Sequence, residues 1–240
     1  GGVVSAYMNT VLPPSSPIPP VVDAITTRRS IRCYQANRPI ERDILLALLR
    51  LAGQAPSNFN RQPWQFVVLD TPLGVAKINT LLREGSTQIE QTPKAEELFH
   101  FLDHVKHWLY PLEGSAAMIL AFYKPAPERV DALISDIMES GSVQAYNPNL
   151  VSMSMAIQNL LLAAHAHGLG ACMHSGPLPF LRHKVNRLLG LPDKLELAGL
   201  ISLGYPDTDV AEVHEPATPR KPVTKTSRFV TDAELLVGNN

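Results

Sequence analysis

The stretch Asn149–Met173, NLVSMSMAIQNLLLAAHAHGLGACM, decides the fold. Asn149–His167 is apolar on nearly every side of a helical period and contains no Asp, Glu, Lys or Arg. Gly168 stands where a helix commonly ends on glycine, and Leu169–Met173 reads as a short strand. A helix that is apolar all round must be covered on all sides. In a chain of this size the covering surface is expected to be a second copy, so the helix predicts a homodimer. Gln158, Asn159, His165 and His167 interrupt the apolar run, which excludes a membrane span on this stretch.

Working outward, the pattern alternates helices with short apolar strands. Val21–Arg29 predicts a short helix after Pro20. Glu41–Gly53 predicts an amphipathic one, with Ile44, Leu45, Leu48, Leu49 and Ala52 inward and Arg42, Asp43 and Arg50 in water. Strands are expected at Trp64–Leu69, Ala116–Tyr123 and Leu195–Leu203, and helices at Gly74–Arg83 and Leu181–Leu189. Weaker helices are expected at Ala95–Leu109 and Glu128–Ser140, and Glu84–Pro93 reads as polar and irregular. Mixed helices and about four strands predict an α+β or three-layer domain. Pro13, Pro14, Pro17, Pro19 and Pro20 predict an extended arm over 1–20. Pro216, Pro219 and Pro222 predict another within 206–240, leaving 21–205 as the folded domain. Such arms have no core of their own and must lie on something, a partner subunit being the candidate.

Composition narrows the function. The 240 residues carry 21 Lys+Arg against 22 Asp+Glu, a formal net charge of -1, which argues against general nucleic-acid binding. The charged fraction is 18%, which suits a protein that hides surface in an oligomer. Two cysteines, Cys33 and Cys172, far apart in sequence, argue against a disulfide scaffold and against a Cys-rich metal site. No secretory start is visible in Gly1–Ala6, and the default expectation is a cytoplasmic protein with no membrane partner.

Four groups of residues could carry chemistry. Arg28, Arg29, Ser30 and Arg32 put three guanidiniums and a hydroxyl into five residues, the equipment of an anion site. They would equally serve as solvated cations at a helix end. Ala55–Trp64, APSNFNRQPW, is a loop pinned by Pro56 and Pro63. Ser57, Asn58, Asn60 and Gln62 offer it uncharged donors and acceptors suited to a polyol or a uracil-like ring edge. They are also ordinary turn residues. Gly168-Leu169-Gly170 and His174-Ser175-Gly176 bracket a strand and would let backbone N–H groups approach a ligand. They lack the pattern of a phosphate loop. His100, His104 and His107 share helical spacing without a carboxylate at zinc-protease spacing, so no metal is expected. The absence of GxSxG argues against a serine hydrolase.

Taken in order, RRSIR, APSNFNRQPWQF, the Asn149–Met173 stretch and PRKPV resemble the nitroreductase family of FMN-dependent oxidoreductases, from about Val21 to Val223. The resemblance implies an α+β fold built as a three-layer α/β/α sandwich, a homodimer with exchanged arms, and FMN at the subunit interface. It implies that Arg28 and Ser30, with Arg29 beside them, hold the flavin phosphate, and that Arg32 lies near the pyrimidine edge. It implies that Pro56, Ser57, Asn58 and Asn60 of the other subunit, with Gln62, line the ring and ribityl chain. The backbone at His174, Ser175 and Gly176 would approach flavin N5, and Arg220 would close on the phosphate. A cation near N1 stabilises reduced flavin, and Arg32 is the candidate. The activity implied is ping-pong transfer from NAD(P)H to a small-molecule acceptor such as a nitroaromatic or quinone, with no catalytic acid or base side chain. Two departures stand out. Ser175 occupies a position that is acidic in many members, and Thr218 one that is often basic. The alternatives are a dehydrogenase, oxidase or reductive dehalogenase acting on a specific metabolite, or a non-enzymatic flavin carrier.

Overall fold

Alternation along one strand sets the architecture. In Ala117–Tyr123 (AMILAFY) every residue is buried. Ala117, Ile119, Ala121 and Tyr123 enter one apolar cluster, and Met118, Leu120 and Phe122 enter another. A strand with both faces covered must lie in the middle layer of a sandwich. The computed structural model describes residues 19–91, 112, 114–125, 147–176, 178–207 and 220–230.

The helices are α1 (Pro20–Thr27), α2 (Arg42–Ala52), α3 (Pro72–Glu90), α4 (Pro148–Ala166), α5 (Leu178–Leu189) and α6 (Val223–Thr226). The strands are β1 (Trp64–Leu69), β2 (Ala117–Tyr123), β3 (Gly170–His174) and β4 (Glu196–Gly204), in sheet order β1-β2-β4-β3 with every neighbouring pair antiparallel. Leu45, Leu48 and Ala52 of α2 join Met153, Ile157 and Leu160 of α4 over one face. Val75, Ile78 and Leu82 of α3 join Leu181 and Val185 of α5 over the other. The three-layer α+β sandwich expected from the sequence is therefore the fold.

Helix α4 begins with a complete cap. The Asn147 side-chain oxygen accepts from the N–H groups of Asn149 and Leu150, and Pro148 fills a position where no N–H is needed. The helix ends before Gly168, whose φ of 72° belongs to the left-handed region that glycine adopts freely. Leu161, mid-helix, is buried within its own chain. The surface left uncovered on α4 is a narrower stripe through Val151, Ser154 and Gln158, with Leu150 beside it. The expectation of burial on all sides is thus met for most of the helix by α2 and the sheet, and the rest stays open on a single chain.

One element was misread from sequence. Helix α3 runs on through Glu84–Glu90, where an irregular segment was expected. Glu84 and Thr87 are exposed and continue the wet side of a helix that the sequence pattern stops too early. The expected helices at Ala95–Leu109 and Glu128–Ser140, and the three histidines His100, His104 and His107, lie outside the described residues. Among the described residues no helix is long and apolar enough to cross a membrane.

Candidate cofactor cradle

Helix α1 ends at Thr27, and Arg28 is its C-cap, with the Arg28 N–H donating to the Ala24 carbonyl at 3.1 Å. The chain then turns extended and lies along β3, the outer strand of the sheet. Ser30 bridges Ala171 in parallel, and the Ile31 N–H donates to the Ala171 carbonyl at 3.1 Å. Four residues on, Tyr34 bridges Pro206 and the Gln35 N–H donates to the Tyr205 carbonyl at 2.8 Å. The arginine segment is therefore pinned to the sheet on both sides.

Two glycines make that approach possible. Gly170 and Gly204 are register partners on β3 and β4. A Cβ on Gly170 would stand 2.7 Å from Cγ2 of Ile31, and one on Gly204 would stand 2.7 Å from the Tyr34 ring. Real contacts of a Cβ are not that short, so the segment closes on the sheet only because both positions are bare. Gly170→Ala should cost about 1–3 kcal/mol of stability through overpacking, measured by urea unfolding. An unchanged midpoint would mean that the segment is held elsewhere.

The docking gathers cations. Burial lowers the pKa of Arg28, and the like charges of Arg220 and then Arg29 lower it further. Arg220, remote in sequence, thus comes near enough to Arg28 for its charge to be felt there. Among the described residues neither has a carboxylate ion pair. Arg29 divides its duty, since its Nη1 donates to the carbonyls of Thr26 and Arg28 at 2.9 and 3.0 Å and so caps the helix. Arg32 turns back toward its own segment, its Nη1 reaching the Ser30 carbonyl at 3.4 Å. This is a half-buried positive site with a hydroxyl beside it, which is the setting in which an oxyanion is bound most strongly.

Cys172, on β3, lies within reach of Ser30 and Arg32. Burial raises its pKa and outweighs the opposing pull of Arg32, of the Ser30 hydroxyl and of Arg28. A raised pKa keeps the thiol protonated and unreactive near neutrality. A thiol reagent at pH 8 should label exposed Cys33 in the folded protein and Cys172 only on unfolding. Rapid labelling of both would mean that the arginine segment does not cover β3.

Of His174, only the backbone is left to face the cradle. Its side chain is buried, with Nε2 at 2.8 Å from the Ser202 hydroxyl, so it faces inward rather than into the cradle. Ser175 and Gly176 follow at the open end of β3 and are exposed, and the Ser175 carbonyl accepts from Leu178 N–H as α5 starts.

The loop after α2 is built at the other end of α4. The Asn58 N–H donates to the Ser152 hydroxyl at 3.2 Å, and the Gln62 N–H donates to the Ser57 hydroxyl at 3.0 Å. Phe59, Asn60 and Gln62 have φ values of 50°, 52° and 45°, a strained run that these anchors hold in place. Asn60 and Gln62 are exposed, with Gln62 Nε2 donating to Asn60 Oδ1 at 3.2 Å, and Pro56 is exposed beside them.

The structure therefore brings Arg28, Arg29, Ser30, Arg32 and Arg220 to one place, with Ser175 and Gly176 at the end of the strand they dock on. It does not bring Pro56–Gln62 there within one chain. The arginine end of α1 touches α4 at His165, whose Nε2 lies 2.8 Å from the Thr27 hydroxyl, while the loop touches α4 at Ser152. Those positions are about 20 Å apart along a helix rising 1.5 Å per residue.

Comparison with known proteins agrees with this architecture. The family model described as "Nitroreductase family" matches residues 25–205. A protein of Thermus thermophilus named "NADH dehydrogenase" is 31% identical, covering 78% of this chain and 88% of its own. Among solved structures, a BluB-like flavoprotein from Clostridium difficile superposes with a TM-score of 0.66 at 22% identity, covering 87% of this chain and 98% of the other. A putative nitroreductase in complex with FMN from Desulfovibrio desulfuricans does so with a TM-score of 0.57 at 23% identity, covering 89% and 98%. With the sandwich, the docked arginine segment and the matched span in agreement, the chain belongs to the nitroreductase family, and with it to the oxidoreductases.

Proposed function

We propose that this protein is an FMN-dependent NAD(P)H oxidoreductase working as a homodimer on small acceptors of the nitroaromatic or quinone type. The observation that carries the reading is the meeting of Arg28, Arg29 and Arg220 beside Ser30, without an ion-paired carboxylate among the described residues. Such a cluster is costly when empty and is relieved by a dianion. The residues suit FMN, whose phosphate needs cations, whose ribityl chain needs uncharged hydrogen-bonders and whose N5 needs a donor.

Arg28, Arg220 and the Ser30 hydroxyl would hold the phosphate. Arg32 would place positive charge at the pyrimidine edge, and the exposed Ser175–Gly176 backbone would face N5. Bound FMN supplies hydride exchange, which no side chain of the protein can perform. The chain's own contribution is to bind, orient and tune, so no catalytic acid or base is assigned.

The 20 Å separation along α4 supports the dimer. A twofold axis through the uncovered stripe at Val151, Ser154 and Gln158 would set a second α4 antiparallel to the first. The Ser152 end of one copy would then meet the His165 end of the other. Pro56, Ser57, Asn58, Asn60 and Gln62 of one chain would complete the cradle begun by the arginines of its partner. Residues 220–230 fit an exchanged arm, being exposed throughout with Phe229 uncovered. In that arrangement 21–205 is the cofactor-binding domain, and 1–20 and 206–240 are the arms.

The test is direct. Purified protein should carry a flavin absorbance band, and NADH or NADPH should be consumed when a nitroaromatic or a quinone is added. A flavin that dithionite reduces but neither nicotinamide does would leave a flavin carrier and end the enzyme reading. Turnover confined to one halogenated metabolite would favour the dehalogenase alternative.

A further inference from the structure

A buried hydrogen-bond chain runs from the end of β3 to the middle of the arginine segment. His174 Nε2 lies 2.8 Å from the Ser202 hydroxyl, which lies 2.8 Å from the Tyr34 hydroxyl, which donates to the Ile31 carbonyl at 2.7 Å. His174, Ser202 and Tyr34 are all buried. The direction is forced from one end. A backbone carbonyl only accepts, so the single Tyr34 hydrogen is committed to Ile31. Ser202 must therefore donate to Tyr34, and its own hydrogen is then spent. His174 Nε2 must in turn carry a hydrogen and donate to Ser202.

The chain ends on a critical peptide. The Ile31 N–H is tied to β3 and its carbonyl to Tyr34, so both polar groups of the residue between Ser30 and Arg32 are fixed. Burial and the Tyr34 ring packed over Gly204 keep the phenol in place, and burial raises its pKa far above the usual range, so it stays a donor. At the other end His174 directly precedes Ser175 and Gly176.

We propose that His174, Ser202 and Tyr34 are positioning residues that lock the arginine segment to the strand carrying the Ser175–Gly176 loop, so that the two sides of the cradle are held in one geometry. This rests on the flavin reading above. None of the three touches the cofactor in this account; they act through Ser30 and Arg32.

The test uses the whole 240-residue chain and four readouts. In wild-type protein, nitrogen NMR of His174 should show a hydrogen on Nε2. In Tyr34→Phe the Ile31 amide should exchange about tenfold faster and FMN should bind about tenfold more weakly, as expected when a buried acceptor loses its donor. The midpoint potential of bound flavin should also fall, because Arg32 is no longer held. Ser202→Ala, which leaves the Tyr34–Ile31 bond intact, should show the same effects more weakly and serves if Tyr34→Phe does not fold. The double variant should be no worse than Tyr34→Phe alone, since the bonds lie in series. A bare His174 Nε2, or folded variants with unchanged Ile31 exchange, FMN affinity and potential, would overturn the proposal. Wild-type protein that ignores FMN, with Tyr34→Phe still showing the faster Ile31 exchange, would instead remove the flavin reading and keep the lock.

Discussion

Arg28→Ala combined with Arg220→Ala should leave a colourless protein that is no less stable than wild-type apoprotein. The two effects have one cause. Without an anion, Arg28 is charged, half-buried and beside two like charges, and both conditions oppose its ionisation. Removing it and Arg220 relieves that repulsion, so apoprotein melting should stay level or rise. With FMN present, the same guanidiniums make charge-assisted hydrogen bonds worth about 1.5–3 kcal/mol each. Losing two weakens binding roughly a hundred- to ten-thousandfold, at a factor of ten per 1.4 kcal/mol. Dialysis followed by an absorbance spectrum reads the first effect, and calorimetry of the apoprotein the second. Inorganic phosphate should stabilise the wild-type apoprotein and not the variant. A double variant that stays yellow after dialysis would dismiss the phosphate assignment.

Val151→Glu should give a folded monomer that does not retain FMN. Val151 is 45% exposed on the single chain, so a carboxylate there reaches water and the chain itself is spared. In a twofold interface each copy contributes the same patch, so one substitution introduces two facing charges. Burying an unpaired charge costs several kcal/mol, which raises the dimer dissociation constant by at least about a hundredfold. Sedimentation measures the association, and flavin fluorescence measures the cofactor. Leu161, at the centre of the helix, is unsuitable for this purpose. It is 8% exposed within its own chain, and a charge there would attack the fold itself. A monomeric Val151→Glu protein that holds FMN as tightly as wild type would show that the cradle is built within one chain.

Much of this was legible in the residues. The α2 periodicity, the WQFVVL strand and the apolar helix are local patterns, set by side-chain alternation and helical spacing that no distant residue overrules. The order of RRSIR, APSNFNRQPWQF and the Asn149–Met173 stretch carried the family resemblance, which the matched span bears out. The end of α3 was missed because a polar wet side and an irregular loop look alike in sequence. The inward turn of His174 was missed because its partners, Ser202 and Tyr34, carry no signal of their proximity.

The sequence alone determined which segments are helix and strand, where the charge and the neutral amides lie, and the family they compose. Only the tertiary structure decided that the charge of Arg220 reaches Arg28, that Gly170 and Gly204 open the sheet to Ile31 and Tyr34, and that the amide loop lies a helix length from the cations. Local elements follow from neighbouring residues, whereas these contacts join positions far apart in the chain, and only packing of the layers brings them together.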